Sequence, residues 1–139
     1  MTRAERPLVK AWAASSMPAG ASNLLRHFVE CFQVPVTTTF NALGAVPFAH
    51  AHNLWMPGMH GSIQANYALR DADLILTLWG RFDDRVAVKG FAEDKCIAHV
   101  DIDPSEIGKA IKADLALAAD LKTFLHHALA SDRGAHHAA

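Results

Sequence analysis

Asp73 leads into Leu74-Ile75-Leu76-Thr77-Leu78, a continuous apolar run that ends at Trp79-Gly80. A run of this kind is typical of a strand buried on both faces, which is the habit of parallel sheets. The rest of the chain alternates in the same way between short apolar runs and segments of helical period, the mark of a parallel α/β sheet. Pro7 to Ala11 reads as a first strand. Leu24, Leu25, Phe28, Val29 and Phe32 then form one apolar stripe on a helix that starts near Ser22. Val34 to Thr38 is β-branched and reads as a second strand. Phe40 to Gly61 is dense in glycine and proline and reads as a long loop, and loops of that length are usually functional or disordered. A helix is expected from Ser62 to about Arg70, and a charged loop from Gly80 to Asp94. Lys95 to Ile102 is a further strand, closed by Asp103-Pro104, because proline cannot continue a central ladder. Pro104 to Ile107 is expected to form one helical turn and Leu115 to Ala118 a short last strand. Asp120 caps the final helix, whose inner face is Leu121, Phe124, Leu125, Ala128 and Leu129, and the tail from Ser131 should fray. The expected fold class is α/β, a Rossmann-like parallel sheet flanked by helices, with residues 1–139 as a single domain.

Composition narrows the function classes. Thirteen basic and fourteen acidic residues leave a net charge near zero, so there is no field for gripping nucleic acid or an anionic membrane. No apolar run approaches the roughly 18 residues of a spanning helix, and the N-terminus reads as mature protein, not a signal peptide. Cys31 and Cys96 stand apart without metal-ligand spacing and are expected to be buried free thiols in a reducing cytoplasm. His50-Ala51-His52 and the group His126, His127, His136 and His137 lack the cysteine or carboxylate that would complete a ligand set, so no metal site is expected. No nucleophile elbow occurs, and no catalytic residue is assigned.

Ligands of open parallel sheets bind beyond the carboxyl ends of the strands, and three loops in that position are unusual. Gly58-Met59-His60-Gly61 precedes a helix, where a ligand could approach the backbone closely and meet free N–H groups; a plain turn would also explain the glycines. Arg81-Phe82-Asp83-Asp84-Arg85-Val86 sets two guanidiniums around two carboxylates, suited to holding a phosphate or carboxylate, or to satisfying one another in solvent. His99-Val100-Asp101-Ile102-Asp103-Pro104 ends a strand on an acid, which bonds ribose hydroxyls in nucleotide-binding sheets or merely caps the next turn. The first strand is followed by Trp12-Ala13-Ala14, not by a glycine-rich turn, which disfavours a nicotinamide dehydrogenase.

Taken in order, these loops together with Asn66-Tyr67-Ala68, Ala72-Asp73-Leu74-Ile75-Leu76 and Ser105-Glu106-Ile107-Gly108-Lys109 resemble the central domain of acetolactate (acetohydroxyacid) synthase catalytic subunits. Val34-Pro35-Val36-Thr37-Thr38 with Leu43-Gly44-Ala45 is similar to the family's second strand and following loop, and the likeness covers about Arg6 to Leu129. The resemblance implies an enzyme that joins two pyruvates, or pyruvate and 2-oxobutyrate, in branched-chain amino-acid synthesis. It implies a flavin, FAD, against Gly58, Met59, His60, Gly61, Arg81 and Asp83, with Asp101 and Ile102 at its adenosine end and Asp120 also in contact. Asp84 and Arg85 would stand at the mouth of the substrate channel. The family's catalytic glutamate and its GDG…NN motif belong to two other domains, and no Gly-Asp-Gly occurs in these 139 residues. Thiamine diphosphate and magnesium are therefore expected only in a complete enzyme, with the missing domains or a second copy of the chain as partners.

The chain departs from the family at three places. Trp12-Ala13-Ala14 replaces a glycine triplet, Trp79-Gly80 stands where a Gly-Ala pair is usual, and Ala87-Val88 follows Val86 where a Thr-Gly pair is common. Weak or absent flavin binding is expected, because Trp12 crowds the phosphate turn. The alternatives are a stand-alone nucleotide or FAD module and a glyoxylate carboligase-like thiamine enzyme, the second of which Phe82-Asp83-Asp84-Arg85 disfavours. Isolation of the domain should bare apolar side chains such as Trp55 or Phe91.

Overall fold

The structure, a computed structural model, describes residues 4–12, 18–80, 82 and 92–136. Among them, five strands form one all-parallel sheet: β1 (Pro7–Ala11), β2 (Val36–Thr38), β3 (Leu74–Leu78), β4 (Cys96–Asp101) and β5 (Leu115–Ala118). Their order is β2-β1-β3-β4-β5. The apolar run of β3 occupies the middle, with Ile75, Leu76, Thr77 and Leu78 all buried. Period-two alternation sends Leu76 and Leu78 into one apolar cluster and Ile75 into another, so both faces are covered.

Among the described residues, three α-helices do the covering. α1 (Ala21–Phe32) and α3 (Leu121–His136) share the first face, where Leu25, Phe28, Val29, Leu121 and Leu125 pack on Val9, Leu76 and Val100. Phe28 is the hub, with ring centroids 4.6 Å from Phe32 and 6.4 Å from Phe124. Burying a side chain of this size contributes about 1.5–3 kcal/mol. α2 (Ile63–Asp71) lies on the second face, where Leu69 meets Leu8, Ile75 and Ile97. The chain thus passes from β1 outward to β2 under α1, then back across β1 to β3 under α2.

Several expectations are corrected here. α3 extends past Ser131, where the tail was expected to begin, through Gly134 to His136. Pro104 to Ile107 is a series of hydrogen-bonded turns, with Glu106 N–H donating to Asp103 O at 3.1 Å, and not a helical turn. Cys31 is exposed and Cys96 half-buried, so neither is the buried thiol expected; Cys31 lies on the outer side of α1, within 3.7 Å of the His27 ring. Trp55 is half-buried because its indole stacks on Phe48 at 4.2 Å, and it is Phe48 that is bare. Phe91 lies outside the described residues. Among those residues, no helix is long and apolar enough to cross a membrane.

Candidate functional site

The long loop after β2 is tied to the sheet and brings its glycine turn to the carboxyl rim. Val36 N–H donates to His52 O and Leu54 N–H to Val36 O, both at 2.9 Å, and Thr38 N–H donates to Trp55 O at 3.0 Å. The segment therefore runs parallel to β2 as a short sixth edge, paired through Asn53. The Asn53 carboxamide holds the bend, donating to Val46 O (3.2 Å) and Pro47 O (3.1 Å) and accepting from Trp55 N–H at 2.9 Å. His50 is also engaged in structure: its ring lies 3.2 Å from the Glu30 carboxylate, and its Nδ1 accepts from His52 N–H at 3.3 Å.

Beyond Trp55, the chain turns through Gly58 to Gly61 into α2. Gly58 has φ 105°, and Gly61 N–H donates to Gly58 O at 3.0 Å. A Cβ on Gly61 would overlap Met56 O and lie 2.6 Å from Pro57 C, so only glycine fits. The turn alone therefore accounts for both glycines. Ser62 caps α2 by accepting from Ala65 N–H at 3.1 Å while its hydroxyl donates to Leu54 O. Asn66, which the residue pattern alone did not single out, grips Gly58 twice: Oδ1 accepts from its N–H at 2.8 Å, and Nδ2 donates to its carbonyl at 3.0 Å. A polar residue inside the second turn of a short helix was the available signal. Met59, 80% exposed, and His60 project from this turn into solvent.

The ends of β3 and β4 stand along the same rim. Asp101 is buried, and its Oδ1 accepts from Asp103 N–H at 3.0 Å, so it does cap the following turn. Its second oxygen lies 3.9 Å from His99 Nε2. Ile102 is 60% exposed. Asp120 caps α3 as expected, accepting from Thr123 N–H at 3.1 Å. Register places Lys10, Thr77 and His99 side by side across β1, β3 and β4, and all three are buried. Thr77 Oγ1 and His99 Nε2 have no hydrogen-bond partner among the described residues. Burial holds the His99 imidazole below its ordinary 6.5, with the Lys10 ammonium adding to the effect against the opposing pull of Asp101.

The structure therefore brings Gly58, Met59, His60, Gly61, Asp101, Ile102 and Asp120 to elements that open at one end of the sheet. Arg81, Asp83, Asp84 and Arg85 lie outside the described residues, directly after the carboxyl end of β3. Among the described residues, no group of three His, Cys, Asp or Glu side chains could hold a metal ion.

A doubly wound parallel sheet with its loops gathered at the carboxyl rim defines a Rossmann-like domain. The family described as "Thiamine pyrophosphate enzyme, central domain" matches residues 1–128, and the chain belongs to it. Its relatives agree. The chain is 44% identical over 113 residues to the acetolactate synthase large subunit of Lactococcus lactis, covering 80% of this chain and 20% of that protein. It is 48% identical over 109 residues to acetolactate synthase 1, chloroplastic, of Zea mays, covering 77% and 17%. It is 38% identical over 133 residues to a probable acetolactate synthase large subunit of Methanocaldococcus jannaschii, covering 94% and 22%. The chain thus spans about a fifth of the length of the curated relatives it matches.

Proposed function

We propose that these residues serve as the central domain of an acetolactate synthase, which condenses two pyruvates, or pyruvate with 2-oxobutyrate, in branched-chain amino-acid synthesis. The observation that carries this reading is the Gly58–Gly61 turn, locked by Asn66 and opening at the same sheet end as Asp101, in a chain similar to acetolactate synthases of three organisms. In this reading the turn, with Arg81, Asp83, Asp101, Ile102 and Asp120, faces a flavin. Asp84 and Arg85 stand at the substrate channel, where a guanidinium suits the carboxylate of a 2-oxo acid. Thiamine diphosphate with magnesium supplies the carboligation chemistry in a complete enzyme, and these residues hold neither. Their work is to orient and enclose. The two free cysteines suit a reducing, cytoplasmic setting.

This reading sets the flavin against the rim turn and not against the sheet end. The indole of Trp12 packs on Gly80 where the carboxyl ends of β1 and β3 meet, and a diphosphate placed there would have to compete with it. Flavin binding should be weak or absent.

The purified 139-residue chain, given thiamine diphosphate, magnesium, FAD and pyruvate, should form no acetolactate. Product from the chain alone would overturn that expectation. The family role is tested by exchanging the matching segment of the Lactococcus lactis relative for these residues, with Trp12→Gly, Ala13→Gly and Ala14→Gly included. The chimera should make acetolactate. A folded chimera without activity would count against the reading.

A further inference from the structure

The sheet itself says where a ligand would enter. The strand order reverses between β1 and β3, since β2 lies on one side of β1 and all later strands on the other. Doubly wound sheets accept ligands outside the strand carboxyl ends at that reversal. Among the described residues, those that follow β1 and β3 at that point are Trp12, Trp79 and Gly80. Trp12 continues alongside β3, its N–H donating to Leu78 O at 3.0 Å. A Cβ built on Gly80 would overlap Trp12 Cβ and Cγ and fall 2.6 Å from Cδ2, closer than such atoms approach. Gly80 is not among the glycines with positive φ, so its backbone would accept any residue. The three atoms nearest to such a Cβ all belong to the Trp12 side chain.

The ring has a second buried neighbour. Lys10, fully buried, places Nζ 4.9 Å from the Trp12 ring centroid and 4.5 Å from that of Phe82, which is itself buried. Both distances lie within cation–π range. Trp12, itself half-buried, thus touches both a glycine and a buried ammonium.

We propose that Trp12 is a specificity-determining plug, seated on Gly80 and floored by Lys10 and Phe82, that closes the β1/β3 crevice to diphosphate-bridged nucleotides. Trp12 and Gly80 are then one reciprocal feature: a side chain at one position requires glycine at the other. The plug stands on the packing alone; only the choice of FAD as a ligand rests on the function proposed above.

Four chains test it: the parent, Gly80→Ala, Trp12→Gly, and the double variant. Glycine is needed at position 12 because Trp12 Cβ is itself among the overlapping atoms. In the parent, Gly80→Ala should lower the melting temperature by about 5–10 °C or prevent folding, the usual effect of overpacking in a domain of this size. In the Trp12→Gly background the same change should cost less than about 2 °C. Trp12→Gly should also tighten binding of ADP, the simplest diphosphate probe, by about tenfold or more, and of FAD similarly. A parent that tolerates Gly80→Ala, or a double variant as unstable as Gly80→Ala alone, overturns the reciprocity. No gain in ADP affinity overturns the exclusion even where the melting temperatures couple. A gain for ADP without one for FAD supports the plug and removes the flavin reading.

Discussion

His99 is a titratable ring in the interior of a sheet, 2% exposed, beside the equally buried Lys10 and Thr77. Burial is the largest reason its pKa falls below 6.5, so it is neutral in the folded chain where the unfolded chain already takes up a proton. The unfolded state then binds more protons, and stability rises with pH through that window. The contribution is complete above about pH 6.5 and is lost as pH falls from there toward the lower folded value. Urea midpoints taken between about pH 8 and pH 5 should decline toward acid in the parent, and His99→Gln should remove part of that slope. Equal slopes in the two chains would contradict the assignment. The identity of His99 was plain in the sequence, but its burial was not. Nothing in His99-Val100-Asp101 says which face of the strand is dry.

At the scale of elements, the α1–α3 contact carries much of the first core. Phe28 lies between Phe32 and Phe124, and Phe28→Ala should cost about 3–5 kcal/mol in urea unfolding, with the cavity adding to the lost transfer energy. A loss under about 1 kcal/mol would mean that the aromatic cluster collapses around the gap. These helices and all five strands were legible because each announces itself locally: a stripe at helical period, an apolar run, a serine or aspartate at a cap. The loop from Phe40 to Gly61 was legible only as a loop. Its pairing with β2 through Asn53, and the grip of Asn66 on Gly58, join residues whose meeting no local pattern encodes. The helical extent of the tail was not legible. Ser131, Asp132, Gly134 and His136 are poor helix formers, and nothing in the structure explains why the helix runs on through them.

The whole molecule leaves apolar surface uncovered. β5 is an edge strand with all four residues exposed, including Leu115 at 62% and Leu117 at 46%, and it carries no charge to discourage pairing. The 139-residue chain should therefore self-associate as its concentration rises, seen as earlier elution in size exclusion, and Leu115→Lys with Leu117→Lys should suppress that. Identical elution of both proteins at every concentration would contradict it. Phe40, Phe48, Met59, Ile63 and Tyr67 are exposed too, on the long loop and α2. The sequence by itself determined the succession of strands and helices and the positions of the rim loops, because short-range periodicity and capping chemistry write those along the chain. It also announced that Trp12 stood where a glycine was expected. Only the tertiary structure decided that Gly80 makes room for it: two residues far apart in sequence occupy adjoining volume because parallel pairing sets the ends of β1 and β3 side by side, and exclusion between atoms acts through space, not along the backbone.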